Sequence, residues 1–173
     1  MRFNFTLAAV AATLAATPAV AQQATTTEPA EARGVVLQSL TLTKISDLNF
    51  GTVAGSNTVP GTVNIDADNG ARTATGGVSL MPSGSSHAQF NGLGVPGQQV
   101  ILTLTPPPSM VLVNGGGQTL SINSMTLDSG NATTRTIGGT GQFSVFVGGN
   151  FQIAAGQAAG LYTANFNLTA DYQ

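Results

Sequence analysis

Residues 160–173 constrain the fold of this chain more than any other stretch. Every even position from Tyr162 to Tyr172 is apolar (Tyr162, Ala164, Phe166, Leu168, Ala170, Tyr172), and every odd position from Thr163 to Gln173 is polar. Side chains alternate across a β-strand with a period of two, so the run puts one face in a core and the other in water. A helix would scatter the same apolar residues around its whole circumference. Gly160 supplies a turn ahead of the run. A terminal strand this regular should seal a β-sandwich or barrel, or lie beside a gap that another strand fills.

Shorter runs of the same kind recur upstream. Val36, Leu40 and Leu42 share one parity, interrupted by Gln38; Val63, Ile65 and Ala67 alternate, as do Val100, Leu102 and Leu104, and Phe143, Val145 and Val147. Between them lie breaks rich in Gly, Asn, Ser and Pro. Asp66 to Gly70 (DADNG) reads as a turn, Gly76-Gly77 as a bulge within the strand 73–80, and Pro106-Pro107-Pro108 as a strand terminator, because proline cannot donate to a ladder. Gly148-Gly149-Asn150 reads as a tight hairpin between two strands. Many short strands with glycine-rich turns, and no amphipathic helix after residue 21, predict an all-β antiparallel sandwich of about eight to ten strands.

The first residues have the form of an export signal: Arg2, an apolar run over residues 5–14, and an A-x-A site at Ala19-Val20-Ala21. Cleavage is expected after Ala21. Residues 22–33 are polar, carry Pro29 and read as a flexible leader, with one domain over 34–173. The chain has no cysteine, so neither a disulfide nor a lipid-bearing thiol is available. Five basic and seven acidic residues leave no basic patch for nucleic acid. No stretch of the mature chain is apolar and long enough for a membrane-spanning helix.

Residues that could carry chemistry are few. The only histidine, His87, stands in a Ser/Gly loop, where an exposed polar residue is expected. Asp66, Asp68 and Asn69 resemble the start of a calcium loop, but glycine comes one place early at Gly70, and Gly77 stands where the closing glutamate belongs. A turn is the better reading; a weak calcium contact of another type is left open. No nucleophile elbow, phosphate loop or carboxylate pair occurs, so neither an enzyme nor a cofactor site is expected.

Two segments carry a resemblance. One is Leu40-Thr41-Leu42-Thr43-Lys44-Ile45-Ser46-Asp47-Leu48-Asn49-Phe50-Gly51, with its L-x-F-G. The other joins the Val147-Gly148-Gly149 motif to the closing run from Gly160 through Tyr162, Phe166, Leu168 and Tyr172. Together they resemble an exported domain-of-unknown-function 4402-type family, similar to the common-pilus (Mat/Ecp) fimbrillins and the spore-coat-U-like archaic chaperone–usher pilins. The resemblance implies an immunoglobulin-like sandwich lacking one strand, exported to the periplasm and assembled at the cell surface as a fimbrium. It implies as partners copies of the chain itself, a periplasmic chaperone and an outer-membrane usher. Strand addition works by main-chain bonds to an open edge, with alternate side chains filling pockets.

On that basis Val36, Leu40 and Leu42 are the candidate donor or first strand. Tyr162, Phe166, Leu168 and Tyr172 are the candidate core or edge strand. The run 34–42 can hardly fill both of its roles in full. Two alternatives remain: a self-complete monomeric sandwich acting as a periplasmic or surface binding module, and a small outer-membrane β-barrel.

Overall fold

The computed structural model describes residues 27–113 and 115–173. The expected signal peptide lies outside the described residues, as do residues 22–26 of the leader. The chain divides after Val35. Residues 27–35 form no regular structure and are exposed throughout, with a surface ion pair between Arg33 and Glu31.

The second unit is all-β. Its strands are β1 (Thr41–Ser46), β2 (Val53–Gly55), β3 (Gly61–Ile65), β4 (Arg72–Gly76), β5 (Val78–Leu80), β6 (Ala88–Leu93) and β7 (Gln99–Thr105). They continue with β8 (Ser109–Leu112), β9 (Thr119–Leu127), β10 (Thr134–Thr136), β11 (Gln142–Ile153), β12 (Tyr162–Thr163) and β13 (Asn167–Tyr172). All pairings are antiparallel. Thirteen strands appear among the described residues where the sequence pattern suggested fewer, because the runs 73–80 and 162–172 each divide between two sheets and short β2 and β10 lack an apolar run of their own.

Strand β11 is the spine of the larger sheet. Val147 faces both Ala88 of β6 and Leu127 of β9, which puts those strands on opposite edges of β11. Gly149 likewise faces Ile65 of β3 and Met125 of β9. Strands β6 and β3 therefore follow one another along the same edge, carrying β1 and β4 outside them. Beyond β9 come β8 and β12. A second sheet has the order β10-β7-β13, and β2 and β5 form a small third one.

The sheets are open and pack face to face around side chains, not closed into one barrel. Val145, Val147 and Ala88 of the large sheet meet Val100 and Leu102 of the second in one cluster, with Ile137 beside them. A second cluster joins Val63, Met110, Leu120, Phe151 and Ile153 under the β2–β5 ribbon. Complete burial of Val145, Val147 and Val100 follows from the alternation read in the sequence.

The expected hairpin at Gly148-Gly149-Asn150 is not formed; β11 runs straight through it. The glycines serve close packing instead of a turn. A Cβ on Gly148 would overlap the Ile65 carbonyl and the Ala67 backbone, and one on Gly149 would lie 2.8 Å from the Ser124 carbonyl oxygen. Gly76-Gly77 is likewise not a bulge within one strand. It is the point where the chain leaves β3's edge and crosses to pair with β2.

Candidate strand-accepting seam

The DADNG turn closes the β3–β4 hairpin. Asp66 Oδ1 accepts the Asp68 and Asn69 N–H groups at 2.8 and 3.2 Å, and Gly70 N donates to the Asp66 carbonyl at 2.9 Å. Asp68 Oδ1 accepts from the Ser129 backbone N–H, so both carboxylates hold loops together. His87 is half-buried, against the exposure expected. Its ring stacks on Phe146 at 4.5 Å and its Nδ1 is 2.9 Å from the Ala67 carbonyl, a packing role in a corner between loops.

The candidate strand residues separate. Val36 is 97% exposed and precedes any strand, whereas Leu40 and Leu42 pack against the first cluster as the chain enters β1. Tyr162 packs on the second cluster; Phe166, Leu168 and Tyr172 pack on the first. The closing run does not form one strand, however. Tyr162 and Thr163 pair with β8, residues 164–166 cross over, and β13 pairs with β7. Ala164 falls at the crossing and is exposed, the one exception to the alternation.

Among the described residues, strand β1 pairs with β6 alone, and β13 with β7 alone. Each therefore keeps one edge of N–H and C=O groups without a ladder partner, and the two strands border the same core. Their inward side chains show the consequence. Leu42, Leu168, Ala170 and Tyr172 are only half-buried, while Ala88, Val100 and Val145 in the middle of the sheets are at 0% exposure. Side chains along an open sheet edge stay partly wet in this way, and these form a continuous apolar margin to the core.

At its Tyr172 end the seam is narrow, and Tyr172 Oη donates to the Gln38 carbonyl across it at 2.9 Å. At the other end it widens into a groove of about 750 Å³. One wall is residues 47–53, the other residues 160–166, and the floor is Met110, Leu120, Ile122, Met125 and Phe151. Phe50 meets Phe151 edge-on at 4.7 Å, and Phe166 meets Phe90 in a similar way at 6.0 Å. Lys44 and Asp47 form an exposed ion pair, 2.6 Å, at the mouth.

The first wall is braced from behind. Asn49 and Ser86 exchange two backbone hydrogen bonds of 2.9 Å, and the Ser86 hydroxyl donates to the Asp47 carbonyl. The Arg72 guanidinium donates to the carbonyls of Phe50, Thr52 and Met81 at 2.9, 3.3 and 2.7 Å. A wall fixed by so many carbonyl contacts has little conformational freedom left to lose. Among the described residues no three His, Cys, Asp or Glu side chains gather. What the groove offers chemically is an apolar floor between two chain segments, 47–53 leading out of β1 and 160–166 leading into β13, with room for an extended apolar segment.

The family described as "Domain of unknown function (DUF4402)" has a model that matches residues 40–172. The chain belongs to that family. Comparison with curated proteins and with solved structures gives no match. The DUF4402 match starts at Leu40, where the chain first enters the core, and stops at Tyr172, so both seam strands fall inside it.

The sequence singled out the closing run and the L-x-F-G segment but not the floor. Met110, Leu120, Ile122 and Met125 look like ordinary strand interior, and only the pairing of distant strands reveals that they floor a groove. Arg72, which braces the first wall, carries no local pattern either. Its signal was scarcity: in a chain with five basic residues, each one is a candidate for a buried structural partner.

Proposed function

We propose that this is a structural, non-enzymatic exported protein, a fimbrial or pilus-like subunit that assembles at the cell surface by β-strand complementation. The single observation that carries the reading is the seam: two free strand edges, a row of half-buried apolar side chains and a braced apolar groove in one line. Its partners in this reading are further copies of the chain and, during export, a periplasmic chaperone and an outer-membrane usher. The signal-like pattern of residues 1–21 in the sequence supports the compartment. Leu40 and Leu42 are occupied in the chain's own core, so the apolar side chains free to act as donor are those just before them, Val35, Val36 and Leu37, carried at the end of the polar leader.

The test uses the signal-free chain, residues 22–173. It should form a ladder of oligomers that survive mild SDS without heating, and fibres visible by electron microscopy. Deleting residues 22–37 should abolish both while leaving a folded monomer. A deletion variant that still polymerises would end this reading. One observation favours a self-complete monomeric binding module instead, the closure of the seam's narrow end by Tyr172. Under that reading both chains stay monomeric at every concentration.

A further inference from the structure

The narrow end of the seam is held by one hydroxyl. Tyr172 Oη accepts from the Val95 N–H at 2.9 Å and donates to the Gln38 carbonyl at 2.9 Å, tying the last strand to the β6–β7 loop and to the segment entering β1. The corner beneath is full: a Cβ on Gly94 would meet Tyr172 Oη, Ile137 Cδ1 and Leu40 Cδ1 within 3.0 Å. Gln38 lies outside any strand, and Val36 two residues earlier is almost wholly exposed.

We infer that the Tyr172 hydroxyl is a clasp that gates strand addition at the seam, with the chain's own residues 38–40 occupying the end that an incoming strand must take. The inference rests on the strand-complementation reading and adds a gate to it. A strand pairing along the free edge of β13 as far as Tyr172 reaches the place where Gln38 is bound. With the clasp shut it can engage only the wide end of the groove. With the clasp open it can pair along the whole of β13. A short segment outside any ladder, held by the Tyr172 hydrogen bond and the packing of Leu40, belongs to the part of a fold that opens most readily. A ligand that needs the open state binds with an affinity reduced by the fraction of molecules that are open. The clasp thereby disfavours assembly until the donor is at high local concentration.

Tyr172→Phe keeps the ring in the corner and removes the hydroxyl. Amide exchange of Val95 in the signal-free chain, kept dilute, reads the clasp. Binding of a fluorescent peptide of residues 22–37 reads the gate. The variant should exchange Val95 about tenfold faster and bind the peptide about five- to tenfold tighter, the scale of one lost hydrogen bond. Tyr162→Phe, which loses a wall hydroxyl that donates to the Ala158 carbonyl just before that wall, should leave Val95 exchange unchanged. Unchanged Val95 exchange in Tyr172→Phe, or equal acceleration in both variants, overturns the clasp. Peptide binding of equal strength to wild type and Tyr172→Phe also overturns it, while leaving strand complementation intact. Binding to neither protein sinks strand complementation and the gate together.

Discussion

Asp128 and Arg135 form a nearly buried ion pair, 2.6 Å, with side chains 12–13% exposed. The same Asp128 Oδ1 accepts the Phe146 N–H at 3.0 Å, and the guanidinium also donates to the carbonyls of Asp128, Ala132 and Thr134. Between them the chain turns through left-handed Ser129, Gly130 and Asn131, with φ of 56°, 68° and 63°. Ser129 is the unusual occupant of that region, and the ion pair holds the turn together with the Asp68 bond to the Ser129 N–H and the Asn131 side-chain bond to the Leu127 N–H. Arg135→Ala leaves a poorly solvated carboxylate and three carbonyls that lose their guanidinium donor. It should lower stability by about 3 kcal/mol in urea unfolding, toward the low end for breaking a buried pair because some solvent reaches it. A loss below about 1 kcal/mol would mean that the turn stands without the pair. Lys44–Asp47 has the same chemistry, but its side chains are 56% and 77% exposed, and such a pair is worth little.

At the scale of elements, Gly148 separates two readings of one sequence. In a hairpin turn an alanine there would be tolerated or mildly unfavourable. In the continuous strand its Cβ overlaps the Ile65 carbonyl, and backbone must move to admit it. Gly148→Ala should therefore cost about 3 kcal/mol, the range for overpacking a tight core, measured by urea unfolding. A cost under about 1 kcal/mol would restore the hairpin. The same pair of glycines shows where a sequence is legible and where it is not. Alternation in Phe143, Val145, Val147, Phe151 and Ile153 announces one buried face, because period-2 burial is a local property. Whether a glycine serves a turn or a close approach depends on a strand eighty residues away, and Ile65 leaves no mark beside Gly148. The seam divides in the same way. Its rim residues, Leu40, Leu42, Phe166, Leu168 and Tyr172, carry local pattern. The free edges of β1 and β13 and the floor under the groove are products of strand order, which no window of sequence contains.

At the scale of the whole molecule, the open seam ties stability to association. With no cysteine available, the fold depends on non-covalent contacts, packing and ladder bonds foremost, and its margin along β1 and β13 is left half-wet. Few charges oppose the approach of another copy, since the chain carries five basic and seven acidic residues. Anything that fills the seam of the folded state and not the unfolded chain stabilises in proportion to the logarithm of its concentration, about 2.7 kcal/mol per hundredfold once above the dissociation constant. If the filler is a second copy, urea unfolding of residues 22–173 should shift to lower midpoints across a hundredfold dilution. The chain lacking 22–37 should keep one midpoint throughout. Midpoints that stay fixed for both chains, after equilibration long enough to exclude kinetic trapping, would identify a sandwich complete in itself. A shift that persists in the shortened chain would place the association at some surface other than the seam, since the donor would then be absent.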